Sequence, residues 1–206
     1  MEEEIRFKSG DLALEGLLDR AAGSRGVVVT HPHLLYGGAM RNNVVSTLVQ
    51  AYGEAGYSTL RFNFRGVGAS QGRYDNGAGE QEDVRAALDY LFAMGCVNLD
   101  LAGYSFGAWV NAMGQKLYPE VLQHLCLISP PVAFMDFSTL AYSPRIRMVI
   151  SGSLDDIAPP SLIREMIGRW NPEAKFRVVE GADHFYSGYE TELLKIMNGF
   201  LRDQAE

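Results

Sequence analysis

The chain has 206 residues, of which 47% are hydrophobic and 21% charged, an ordinary globular balance with enough length to bury a substantial core and one domain as the natural expectation. A formal net charge of −7 argues against nucleic acid and other polyanions as partners, and no apolar run is long enough to cross a bilayer. The acidic start Met1-Glu2-Glu3-Glu4 lacks an apolar core, so no signal peptide is expected, and Cys96 and Cys126, both in apolar surroundings, are expected to be buried free thiols of a cytoplasmic protein.

In chain order, Ile5–Lys8 and Leu12–Leu18 alternate around the turn Ser9-Gly10-Asp11, which predicts a β-hairpin at a sheet edge. Gly26-Val27-Val28-Val29 is a continuous apolar run, the pattern of a strand covered on both faces. Val44, Val45, Leu48, Val49 and Tyr52 recur at helical spacing, with Gly53 or Gly56 as the stop, and Tyr57–Phe64 reads as a second central strand. Arg65–Gly79 is a polar, glycine-rich loop, and Glu80–Met94 is a helix with its stop at Gly95. Val97–Ala102 is a strand, Phe106–Tyr118 a helix closed by Pro119, and Leu122–Ile128 a strand. Ser129–Pro144 is irregular; Ile146–Ser151, Pro160–Trp170, Phe176–Glu180 and Tyr189–Leu201 complete the alternation as strand, helix, strand and helix. Strands alternating with helices predict a mainly parallel sheet of about eight strands with helices on both faces.

The segment Gly103-Tyr104-Ser105-Phe106-Gly107 joins strand to helix. A Gly-x-Ser-x-Gly turn there presses strand against helix, which only hydrogen side chains permit, and holds the serine at its apex beside the helix N-terminus. Alone, the motif also fits a plain turn with a helix-capping serine, so its meaning depends on a base and an acid. A serine hydroxyl needs a base, and histidine suits neutral pH. Of the four histidines, His184 in Gly181-Ala182-Asp183-His184 follows the last strand, at the sheet edge where Ser105 also lies and where open parallel sheets bind ligands. His124, between a helix end and a strand and well away from any other polar motif, is expected to be a surface or core-edge residue. An acid must orient the imidazole. Asp155 and Asp156 both follow the strand Ile146–Ser151; one of them could merely cap the helix at Pro160. Asp183 is a weaker candidate, because a sequence neighbour rarely reaches the far ring nitrogen.

A tetrahedral oxyanion needs N–H donors. The Phe106 N–H follows the nucleophile. The second is expected from the loop Thr30–Gly38, where Pro32 has no N–H and His33, Leu34 or Leu35 remain. His31-Pro32-His33 also invites a metal reading, but no further ligand cluster accompanies it, so loop-shaping histidines and no metal are expected. Gly66-Val67-Gly68-Ala69-Ser70-Gln71-Gly72 fails the dinucleotide fingerprint because Gln71 stands where its third glycine belongs; it is expected to line the pocket or brace the elbow.

Taken together, His31–Gly38, Arg61-Phe62-Asn63-Phe64-Arg65-Gly66-Val67-Gly68, the Gly103–Gly107 elbow, Gly152-Ser153-Leu154-Asp155 and Asp183-His184 resemble the α/β-hydrolase superfamily over nearly the whole chain. They look most like its small, lidless bacterial members with a His-Pro-His-Pro-x-x-Gly-Gly loop, from which this chain departs at Leu34. The resemblance implies a minimal α/β-hydrolase fold without a lid domain, favours Asp155 over Asp156 by its spacing from Gly152 and Pro159, and implies cofactor-free hydrolysis, most often of esters. It makes Ser105, Asp155 and His184 the expected catalytic residues, with Phe106, His33 and Leu34 as oxyanion donors. Tyr36, Tyr104, Phe134, Phe137 and Tyr142 are expected pocket residues. The expected substrate is a small, short-acyl ester; a thioesterase, a small peptidase and a non-catalytic binding protein keeping the fold are the alternatives. Monomer and homodimer, through an edge strand or the aromatic loop, both stay open.

Overall fold

The computed structural model describes residues 1–118, 120 and 122–204. The strands are β1 (Glu3–Ser9), β2 (Leu12–Asp19), β3 (Arg25–Thr30), β4 (Ser58–Phe62), β5 (Asn98–Tyr104), β6 (Leu122–Ile128), β7 (Ile146–Gly152) and β8 (Lys175–Val179). They form one sheet in the order β1-β2-β4-β3-β5-β6-β7-β8. Strands β3 to β8 pair in parallel; β1 and β2 form an antiparallel hairpin at one edge, joined to β4. The helices are α1 (Asn43–Glu54), α2 (Ala78–Ala93), α3 (Phe106–Gly114), α4 (Pro160–Trp170) and α5 (Glu190–Asp203).

The apolar runs are buried on both faces, as continuous β-branched strands require. Val27 and Val29 of β3 face one apolar cluster with α1 and α5; Val28 faces the other with α2, α3 and α4. From β3 the chain passes to β4 on one side, and from β5 to β6 on the other. The crevice between the carboxyl ends of β3 and β5 is therefore a topological switch point, the usual ligand position of such sheets.

Element limits differ from the periodicity at a few ends. Helix α2 starts at Ala78, ahead of Glu80, because the Glu80 carboxylate reaches back to accept the N–H groups of Asp75 (3.0 Å) and Gly77 (2.8 Å), a cap rather than an interior charge. Helix α3 ends at Gly114; the expected stop at Pro119 lies outside the described residues. Cys96 and Cys126 are free and buried. His124 lies at the core edge with a polar partner that the local sequence does not reveal: the parallel register places it opposite Asp100, and its Nδ1 lies 3.0 Å from the buried carboxylate. The glycine-rich loop after β4 braces the hairpin rather than lining the site. The Ser70 hydroxyl accepts the Glu15 N–H (3.1 Å) and Glu15 accepts the Ala69 N–H (2.6 Å).

The segment Ser129–Pro144 holds no helix or strand and crosses from the carboxyl end of β6 to the amino end of β7. Phe137 and Leu140 are buried along it, Phe137 against Trp170 with ring centroids 5.1 Å apart. It is a crossover pinned to the helical layer, with no lid domain.

Candidate active site

The elbow is built by close approach. Ser105 takes φ 54°, ψ −117°, a conformation costly for a residue with a Cβ and kept only where its surroundings enforce it. A Cβ on Gly103 would lie 2.7 Å from the Ala108 nitrogen, and one on Gly107 2.8 Å from the His31 carbonyl oxygen. Both glycines are thus required sterically, and the second shows how tightly the loop after β3 presses on the turn. The Ser105 N–H donates to the Ile128 carbonyl at 2.9 Å, tying the turn to β6. Phe106 opens α3, so its N–H is one of those a helix leaves without an internal partner, at the positive end of the dipole.

Two further loops meet there. They are zipped together through backbone bonds, Ser153 N–H to Val179 O (2.9 Å) and Leu154 N–H to Ala182 O (2.9 Å). This brings Asp155, from the loop after β7, against His184, from the loop after β8. His184 Nδ1 lies 2.9 Å from both Asp155 oxygens, and its Nε2 lies 2.9 Å from Ser105 Oγ. Beside a carboxylate Nδ1 carries the proton, which leaves the Nε2 lone pair to accept the Ser105 O–H. The three residues are 7%, 6% and 2% exposed (Ser105, His184, Asp155), so little water competes for these bonds.

Asp155 also accepts N–H groups from Ile157 (3.0 Å) and Ala158 (2.7 Å) and the Ser129 O–H (2.7 Å). Burial pushes its carboxyl up, but the bond and charge of His184, then the Ser129 and Ala158 donors, outweigh it and leave the group below its usual range. Asp156 is exposed. Neither aspartate caps α4, whose N-cap is Pro159 without a side-chain bond. Asp183 accepts the Phe185 N–H (2.9 Å) and so shapes the histidine loop.

The other site expectations divide. His33 and Leu34 lie beside the elbow, the His33 ring 4.8 Å from that of Phe106. Leu35 drops out as an oxyanion donor because its N–H already bonds His33 Nδ1 at 3.2 Å. His31 is buried; its Nε2 accepts the Phe64 N–H (3.1 Å) and its Nδ1 donates to the Pro32 carbonyl (2.7 Å), leaving no ring lone pair for a metal. Tyr104 is buried and donates its O–H to the His184 carbonyl at 2.7 Å, so it holds the histidine loop rather than lining a pocket. Phe137 is also buried, in the crossover, and touches no open surface. Tyr142 is at the wrong edge: Ser143 N–H bonds the carbonyl of Trp170, the last residue of α4, close to where β7 begins. Tyr36 and Phe134 remain, both exposed at the Ser105 edge. Leu35, Leu154 and Phe185, on the same set of loops, are likewise exposed large apolar side chains. Composition could not single them out, since their role depends on which way each loop turns. Concavity is a poor guide here: a groove of about 440 Å³ runs beside the hairpin, lined by Glu4, Arg6, Glu15, Arg41 and Asn63, away from these residues.

No protein-family model matches the chain. An uncharacterised Rickettsia prowazekii protein, RP471, is 36% identical over 96% of this chain and 88% of its own length. An α/β serine hydrolase homologue from Coxiella burnetii is 35% identical, with a TM-score of 0.88 and 97% of each chain covered. XC6422 from Xanthomonas campestris, an α/β serine hydrolase without a lid, is 30% identical with a TM-score of 0.88, over 98% of this chain and 94% of its own. Eight mostly parallel strands and no lid domain among the described residues, with likeness of this extent over nearly the whole chain, lead to one conclusion: the chain belongs to the α/β serine hydrolase family.

Proposed function

We propose that this chain is a carboxylesterase-type hydrolase of small, short-acyl esters that works through an acyl-enzyme on Ser105. The observation that carries the reading is the buried hydrogen-bonded chain Ser105–His184–Asp155 at a strained strand-to-helix turn. Ser105 Oγ attacks the ester carbonyl carbon while His184 Nε2 takes its proton. Asp155 keeps the imidazole in the right tautomer and stabilises the imidazolium. The oxyanion is held by the Phe106 N–H and by the N–H of His33 or Leu34. His184 returns the proton to the departing alkoxide as the C–O bond breaks. Water, deprotonated by His184, then attacks the acyl carbonyl and frees the carboxylic acid. The steps balance without a cofactor.

Support for an apolar acyl or alkyl group comes from Leu35, Tyr36, Phe134, Leu154 and Phe185, exposed on the loops at this edge. They offer an open rim rather than an enclosed tunnel, which suits small substrates better than a long chain needing burial along its length. Among the described residues no helix is long and apolar enough to cross a membrane, and a cytoplasmic location is part of this proposal. The test is hydrolysis of a chain-length series of p-nitrophenyl esters, with thioester and peptide panels alongside and Ser105→Ala as control. Turnover of short esters that vanishes in Ser105→Ala is expected; preferential turnover of thioesters or peptides would reassign the substrate, and equal turnover by the variant would sink the mechanism.

A further inference from the structure

Building on the reading that Ser105, His184 and Asp155 react together, we infer that Ser129 and Tyr186 are positioning residues for the acid, a relay that holds the Asp155 carboxylate toward His184. Ser129 is the first residue after β6, between the strands that carry Ser105 and Asp155. Its Oγ lies 2.7 Å from Asp155 Oδ2 and 2.8 Å from the Tyr186 hydroxyl. An ionised carboxylate only accepts, so Ser129 donates to it and Tyr186 must donate to Ser129. Burial holds the Tyr186 hydroxyl protonated far above its ordinary range, so it is a donor at any working pH. With His184 Nδ1–H, the Ile157 and Ala158 N–H groups and Ser129, the carboxylate has four donors, about the number of lone-pair sites it offers. It is left no freedom to turn away.

A second, independent observation is strain. Among the described residues only Asn76, Ser105, Ser129 and Tyr186 are non-glycine residues with positive φ, at 52°, 54°, 44° and 56°. Three of these four belong to one hydrogen-bonded chain. Both Ser129 and Tyr186 are fully buried, and neither conformation would be kept at a bulky residue without something that enforces it. If backbone shape alone mattered, glycine would serve better at Ser129; serine instead supplies the hydroxyl. The titratable groups facing Asp155 are His184, Tyr186 and Tyr104, with Asp156 beside it in sequence and Asp183 across the histidine loop.

The test compares wild type, Ser129→Ala, Ser129→Gly, Tyr186→Phe and Ser105→Ala with the p-nitrophenyl ester that wild type hydrolyses fastest, reading kcat, KM, the pH profile and the melting temperature. Both Ser129 variants are expected to lose about tenfold in kcat with KM nearly unchanged, and Tyr186→Phe about threefold, as loss of one bond to a charged group requires. Ser129→Gly relieves the backbone and should melt no lower than Ser129→Ala, which separates lost positioning from lost folding. The acid limb of kcat/KM belongs to the Asp155–His184 pair. Removing a donor leaves more negative charge facing the imidazole, so the midpoint of that limb should move up in pH. A Ser129→Gly enzyme within about twofold of wild type in kcat, or one slowed equally at every pH with the midpoint unmoved, overturns the inference. Ser105→Ala turning over like wild type would instead overturn the underlying reading.

Discussion

His31 and His184 make an instructive pair. Both are buried in loops that follow parallel strands, both sit at the carboxyl edge of the sheet, and both contact the region of the elbow. Both nitrogens of His31 are spent on backbone groups, the Phe64 N–H and the Pro32 carbonyl. Both nitrogens of His184 are spent on side chains, Asp155 and Ser105. Burial, with a smaller push from the neighbouring His33, brings His31 down to about 4, the Pro32 carbonyl only partly opposing, so it stays neutral and rigid and ties the loop after β3 to Phe64, just past the end of β4. His184 faces a carboxylate and a hydroxyl, groups that can exchange charge with it. Burial and address are the same for both rings, so the proton-transfer role proposed for His184 rests on its partners.

The sharpest way to break this comparison is to remove each ring. His184→Ala is expected to cut kcat by about 10⁶, the scale seen when a serine hydrolase loses its base, with a modest change in melting temperature. His31→Ala should act chiefly on stability. It strands the Phe64 N–H and leaves a cavity, at a cost of about 3 kcal/mol in chemical denaturation. A His31 variant that loses more kcat per folded molecule than a His184 variant would reverse the assignment.

Next in size is the acid. Asp155→Asn is expected to lower kcat by about 10⁴, through the wrong imidazole tautomer, whereas exposed Asp156→Asn should stay within about twofold of wild type, as surface substitutions do. Parallel losses in the two variants would contradict the geometry.

A third effect is a pH dependence of stability owed to His31. Its folded value is about 4 and an unfolded histidine titrates near 6.5, so only the unfolded chain gains the proton between them. The stabilisation is fully present above about pH 6.5 and is lost as pH falls toward 4, by about 3 kcal/mol in the free energy of unfolding. His31→Ala should flatten that slope. Asp155, held below its ordinary range, adds a further loss in the same direction only at lower pH, as the solution falls through its folded value.

The smallest expected effect concerns the apolar rim. Phe134→Ala should raise KM for the longer acyl esters severalfold, about 1 kcal/mol of lost apolar contact, while Tyr142→Ala, at the opposite edge, should leave the series unchanged.

Much of the fold and of the site is legible in the sequence, and physical reasons account for what is not. Apolar runs and helical spacing report burial directly, so the alternation of strands and helices and the hairpin edge were legible. The elbow was legible because Gly103 and Gly107 are sterically required, and the residues following β5, β7 and β8 had to share one edge. Asp155 is separated from Asp156 in the sequence only by the spacing seen in similar proteins, since two adjacent aspartates cannot be separated by composition. The pairing of His124 with Asp100 depends on inter-strand register, which no local pattern encodes. Phe137 and Tyr142 do not line the site as the aromatic loop suggests, because an irregular crossover carries no periodicity to say which residues face the core and at which edge each lies. Ser129 and Tyr186 leave no motif at all; their signal is a positive φ at residues that ordinarily avoid it.

The central claim, that Ser105 is the nucleophile of a triad completed by Asp155 and His184, is tested most directly by intact-mass measurement after treatment with a fluorophosphonate. One phosphonyl group per chain, mapping to Ser105 and absent from Ser105→Ala, is the expected result; an unlabelled wild type, or equal labelling of the variant, would contradict it.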